Sequence, residues 1–431
     1  MPSFQATFGH FSAIMHGVIV SSILITGALS ALVAGAFAHR FGHVRLVALG
    51  SLCYAVGAAI ECASSILGVF IFGRLIKGVG EGLFLSNVYV QVSEMSPAAI
   101  RGIMTAMPQM FITSGIVIGY FLCYGTTQLG DSSASWRVPL GIASGLGLLF
   151  SNCIWITPLS PRWLITQGRI EEARVVVRKL GLDQAEQEEL LSQTSDAVEE
   201  AGTAVNVTLR ETLYQTWTEF GHAFSKPYRG RTAFGCFIMG MQQWAGIDGV
   251  LYYAPMLFQQ AGLTGEKASF LASGASAVVI LAVTIPATLF ADRWGRRVAS
   301  ITGGVGMTII MVVIGTMYAA DLVHPNRGVG RWVVIVSIYL FAAVFSITWA
   351  ICFRTYLVES LPKRTRSSAS SLAQSSNWVS LVKSVGSESL LLTVFTRLRT
   401  TQSLSLHRCF LQHPLSQHTT SGPAAHYSPL W

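Results

Sequence analysis

The residues best suited to chemistry cluster in Gln242-Gln243-Trp244-Ala245-Gly246-Ile247-Asp248-Gly249-Val250-Leu251-Tyr252-Tyr253-Ala254-Pro255. Two amides, a carboxylate, an indole and two phenols sit inside an apolar run from about Phe234 to Phe258, long enough to cross a bilayer as a helix. Polar groups at that depth are costly, so they face a bundle interior or a water-filled path. Gln242 and Tyr253 are eleven residues apart, about three turns, and share a face. Asp248 lies about 120° round from Gln242 and joins that face only if Gly246, Gly249 or Pro255 unwinds or kinks the helix. Amides alone serve equally well as glue between helices. The added carboxylate and glycines favour a ligand site for a solute that both donates and accepts hydrogen bonds.

The rest of the chain must position this cluster within a membrane. Mean hydropathy is +0.51, and only 12% of the 431 residues are charged, which excludes a soluble domain. The fold class expected is an all-α polytopic membrane protein. Apolar segments fall at about 16–38, 46–65, 67–92, 102–124, 138–157, 234–258, 268–290, 298–319 and 333–353, and a tenth begins near Leu372. The net charge of +8 would suit nucleic acid in a soluble chain, but here it lies in alternate loops. One set of loops holds 18 Lys and Arg and the other 4, which places the first set in the cytoplasm. The seven cysteines show no metal-ligating spacing, and no DxD, HExxH or GxSxG stands at a span end, so neither a metal, a cofactor nor an enzyme is expected. Segment 158–232 is the sizeable soluble piece. Within it, Arg169 to Glu200 reads as an amphipathic helix with Ile170, Ala173, Val177 and Leu180 on one side.

Two loop signatures repeat in order. His39-Arg40-Phe41-Gly42-His43 parallels Asp292-Arg293-Trp294-Gly295-Arg296, and Glu94-x2-Pro97-x3-Arg101 recurs as Glu359-x2-Pro362-x3-Arg366. Each copy falls in a cytoplasmic loop. Duplicated halves with a site between them are a transporter plan.

With Gly73-Arg74-x3-Gly78, Trp136-Arg137, Ser160-Pro161-Arg162-Trp163-Leu164, Gln242-Gln243-x2-Gly246 and Asp292-Arg293-x-Gly295-Arg296-Arg297 added, the chain resembles the sugar porter family of the major facilitator superfamily, most closely its fungal members. The resemblance covers about residues 10–380. It implies two six-helix bundles, a sugar site at the midplane and alternating access. The domains expected are an N-terminal bundle 1–157, a cytoplasmic helical loop 158–232, a C-terminal bundle 233–395 and a disordered or aberrant tail 396–431. The resemblance implies sugar contacts from Gln109, Gln242, Gln243, Asp248, Tyr252, Tyr253 and Asn377, with Asp248 standing where the family usually has asparagine. A carboxylate there accepts from hydroxyls and titrates if buried beside the solute, so uptake by the chain and by Asp248→Asn would differ across pH. The family's ionic inner gate maps onto Glu94, Arg101, Arg162, Asp292, Arg293, Arg297, Glu359 and Arg366. His39 and Leu159 depart from the acids usual at their positions, and Arg354 stands where the family has a tryptophan. Arg74 occupies the place of an arginine that, in proton-coupled relatives, pairs with an acid of the first helix. Lys77 and Glu81, four apart, read as a local ion pair.

The partners implied are a sugar, the lipid bilayer and, in a coupled carrier, protons; the plasma membrane is the implied location. Quinate or another polyol, or a nutrient sensor built on the same site, are the competing functions. By the same match the nine spans correspond to the family's second to tenth helices, and the match fails just after Trp378. The 431-residue chain alone is therefore expected to reach the surface weakly and to be a poor or inactive carrier.

Overall fold

The computed structural model describes residues 2–9, 11–97, 100–130, 132–181, 187, 218, 220–252, 258, 266–290, 295–320, 322–323, 328–361 and 368–380. Among them every regular element is helical. The N-terminal half holds α1 (Pro2–Phe8), α2 (Ala13–Phe41), α3 (His43–Ala63), α4 (Leu67–Met95), α5 (Arg101–Thr127) and α6 (Ala134–Cys153). Two short helices follow, α7 (Pro161–Thr166) and α8 (Ile170–Lys179). The C-terminal half holds α9 (Arg229–Trp244), α10 (Ile247–Tyr252), α11 (Glu266–Leu289), α12 (Arg296–Ala319), α13 (Gly330–Ile347) and α14 (Trp349–Ser360), then a helical stretch 368–380.

Among the described residues, seven helices are long and apolar enough to cross a membrane by length and composition. Two of the nine expected spans fall outside that set for physical reasons. Helix α4 carries Arg74, Lys77 and Glu81 along its length, and the run 234–258 is interrupted. Gly246 has φ +81°, a left-handed conformation that only glycine adopts cheaply, so the chain turns there between α9 and α10. The unwinding required to bring Asp248 inward is thus present. The apolar segment 333–353 also differs from expectation: it becomes two helices meeting at Thr348 (φ −108°, ψ −80°), and α14 runs on to Ser360.

Helix ends follow local chemistry. Ser12 caps α2 by accepting from the Met15 amide at 3.2 Å. Gly42, at φ +84°, both ends α2 and starts α3, so the two helices reverse direction across one residue. Pro161 takes the first turn of α7 behind the Ser160 cap. Helix α8 matches the expected amphipathic start of the soluble segment, burying Ala173 and Val177; the continuation to Glu200 lies outside the described residues. Helix α1 was not foreseen. Its Phe4 and Phe8 pack at 4.8 Å from each other and 5.6 and 5.3 Å from Trp136, with Phe70 completing the cluster.

Small residues let α3 and α4 approach to backbone distance, as helices in lipid require. A Cβ built on Gly57 would lie 2.5 Å from the Lys77 amide nitrogen and 2.7 Å from the Gly73 carbonyl oxygen. Backbone cannot rotate away as a side chain can, so Gly57→Val should separate the helices and lower stability by about 1–3 kcal/mol or more. The check is a melting temperature in detergent, with an unchanged value showing that the helices are not in contact.

Candidate functional site

Gln242, Gln243 and Asn377 come together at the junction of α9 with the stretch 368–380, and all three are buried. Gln243 Nε2 donates to Asn377 Oδ1 at 3.1 Å. Asn377 Nδ2 donates to Gln242 Oε1 at 3.3 Å and to the Met239 carbonyl at 3.0 Å. Gln242 Nε2 donates to the Trp349 carbonyl at 3.3 Å. The network binds helices to one another, which is the glue role, yet it is incomplete. Gln243 Oε1 is buried without a partner, an acceptor left for a hydroxyl. Asp248, delivered by the break at Gly246, lies against Gln243 and in the field of Arg354.

The other expected contacts are placed as follows. Gln109 sits half-buried on α5, beside the in-helix Pro108, and makes no hydrogen bond to the amide cluster. The Tyr252 side chain and all of Tyr253 lie outside the described residues. The Trp349 indole N–H donates to the Ser300 carbonyl at 2.9 Å and its ring stacks on Phe353 at 4.7 Å, tying α14 to α12.

Of the gate residues, Asp292, Arg293 and Arg366 lie outside the described residues. Glu94 accepts from Ser160 Oγ at 2.6 Å and stands 3.7 Å from His43 Nε2. This links the end of α4 to the start of α7 even though Leu159 replaces the acid expected there. Arg101 turns back to the Ser96 carbonyl at 3.3 Å. Arg162 has no ion pair among the described residues. In the second half, Arg296 rather than Arg297 meets Glu359, through Nε at 3.3 Å and Nη2 at 3.1 Å; Arg297 is exposed. The two arginines are neighbours in a basic run, and only the direction of the first turn of α12 selects between them.

One sequence expectation fails outright. Lys77 does not pair with Glu81 but with Glu61 on α3, Nζ to Oε2 at 3.3 Å, and it lies over the Tyr54 ring at 5.1 Å. A local helical pair in water is worth about 0.2–0.5 kcal/mol. A carboxylate that is 0% exposed exerts a stronger field on a cation through its low-dielectric surroundings. Glu61 was missed because it ends an otherwise apolar span, where nothing in spacing marks its partner. Arg74 donates to the Ile19 carbonyl at 3.0 Å and lies over the Phe70 ring at 5.3 Å. Contacts between halves that sequence spacing does not mark are Tyr120 to the Leu251 carbonyl at 2.8 Å, Ser375 Oγ to the Ala28 carbonyl at 3.1 Å, and Arg354 over the Tyr89 ring at 5.0 Å.

Comparison with known proteins decides what such a bundle is. The family described as sugar (and other) transporter matches residues 3–383. The chain belongs to the sugar transporter family. It is 32% identical to the glucose transporter GlcP of Staphylococcus epidermidis over 360 residues, 83% of this chain and 74% of that protein. It is 27% identical to the high-affinity glucose transporter of Kluyveromyces lactis over 390 residues, 86% and 69% of the two chains. Among solved structures it resembles the proton:xylose symporter XylE bound to 6-bromo-6-deoxy-D-glucose, with TM-score 0.70, 23% identity, and 91% of this chain against 80% of that one. The likeness establishes the major facilitator fold. This sugar transporter family member is therefore a multi-pass membrane protein built on that fold.

Proposed function

We propose that this sugar transporter carries a monosaccharide, recognised by Gln242, Gln243 and Asn377 where α9 meets the stretch 368–380 in the C-terminal half, and that the residues of α4 and α14 named above form its inner gate. The observation that carries this reading is the buried, unpartnered Gln243 Oε1 within a ring of amides. An amide offers donor and acceptor side by side, which matches adjacent sugar hydroxyls. The bundles 1–157 and 233–395 supply the moving halves and 158–232 the cytoplasmic connection. The plasma membrane is the compartment that fits such a carrier. The curated relatives named above are glucose transporters, which supports a hexose over a polyol. Proton coupling is supported by the symporter fold neighbour and by the ionisable groups of α4 at membrane depth.

The test is binding rather than flux. The detergent-purified chain should bind radiolabelled D-glucose in equilibrium dialysis, and unlabelled monosaccharides should compete better than neutral acyclic polyols. Absence of saturable glucose binding, or preferential displacement by a polyol, overturns the monosaccharide reading.

A further inference from the structure

One helical turn toward the cytoplasm from the amide cluster, five buried polar atoms line a small cavity; Tyr89 and Arg354 reach one another, and none of the five bonds to any other described group. They are Ser86 Oγ and Tyr89 Oη on α4, Arg354 Nε and Nη1 on α14, and Gln374 Nε2 on the stretch 368–380. They come from both halves and converge on a single space that Met239 also lines. Its size is about 10 Å³, room for roughly one water.

The composition of this set is one-sided. The guanidinium and amide nitrogens only donate, and each hydroxyl brings a donor of its own. One water accepts two bonds at most, and even with the two hydroxyl oxygens as acceptors it leaves N–H donors over. A group with several lone pairs and no hydrogen can satisfy them, and a carboxylate is that group. The charge points the same way. Arg354 carries a full charge at membrane depth. No carboxylate among the described residues comes within ion-pair distance of it, and Asp248 acts on it only through space. The ring of Tyr89 lies 5.0 Å from the guanidinium and its hydroxyl oxygen accepts from Arg354, but Tyr89 brings no negative charge.

The position relative to the sugar amides is fixed by shared residues. Met239 lines the cavity and its carbonyl accepts from Asn377. Gln374 lies three residues, about one turn, before Asn377. We propose that Arg354, with Tyr89, Ser86 and Gln374, receives the carboxylate of a polyhydroxy acid whose hydroxyls engage Gln243 and Asn377. The substrate class is then a sugar acid, admitted as the two halves part and the cavity widens. This rests on the amide cluster being the sugar site, and it narrows the substrate of that site.

Equilibrium dialysis of the detergent-purified chain with radiolabelled D-glucuronate and D-glucose tests it. Both ligands should bind, and Gln243→Ala should weaken both. Arg354→Gln should lower the ratio of glucuronate to glucose affinity by about ten- to a hundredfold, the worth of a charge-assisted hydrogen bond. Gln374→Leu should lower the same ratio, more modestly, and serves where Arg354→Gln does not fold. An unchanged ratio in folded Arg354→Gln, or equal loss of both ligands, makes Arg354 a gate or packing residue and overturns the proposal. Glucose binding without glucuronate binding overturns it and leaves the monosaccharide reading standing. Binding of neither ligand removes both.

Discussion

Lys77→Met should destabilise the protein by about 3–5 kcal/mol, and a second change, Glu61→Leu, should recover most of the loss. Glu61 is fully buried between α3 and α4, and Lys77 Nζ at 3.3 Å is its partner. The other carboxylate oxygen already lacks a hydrogen bond, so removing the ammonium leaves the whole group uncompensated. Taking away both charges removes that penalty, since well-packed apolar residues of similar volume replace a buried pair at little or no cost. Reversible denaturation in mixed micelles measures both variants. A single variant as stable as the parent would show that Glu61 is held by something other than Lys77. The alternative pairing is excluded by the same experiment, because a Lys77–Glu81 helix pair would cost only tenths of a kcal/mol to remove.

Gln243→Ala should weaken glucose binding by about ten- to a hundredfold while melting within a few degrees of the parent. The side chain has two duties. Its Nε2 holds Asn377 at 3.1 Å, and its Oε1 is the open acceptor in the buried ring. Truncation removes a contact to the sugar and also frees Asn377 Oδ1, so the binding loss exceeds that of one neutral hydrogen bond. Asn377 keeps its bonds to Met239 and Gln242, which limits the structural cost. Competitive binding alongside a melting curve separates the two effects. Parallel loss of stability and binding would return the amides to the role of helix glue alone.

Several features were legible in residue order because they depend on local physics. Apolar runs longer than a bilayer is thick, basic residues in alternate loops and the paired loop signatures established a duplicated membrane bundle. Gly246 marked a break in the apolar run, and the break is there at φ +81°. The start of α8 followed from its apolar spacing.

Partner choice was not legible, because it depends on helices brought together from distant parts of the chain. Lys77 had an acid four residues away, yet it pairs with Glu61 sixteen residues back, where burial strengthens the field. Arg296 and Arg297 are equivalent in a basic run, and the turn of α12 alone brings Arg296 to Glu359. Arg354 read only as a departure at a position where the family has tryptophan. Its meaning arose when α4, α14 and the stretch 368–380 enclosed it with further donors and no carboxylate within ion-pair distance among the described residues. Hydropathy and charge act along the chain and so can be read from it. Dielectric, hydrogen-bond satisfaction and ion pairing are properties of a packed neighbourhood, and they exist only once the helices have met.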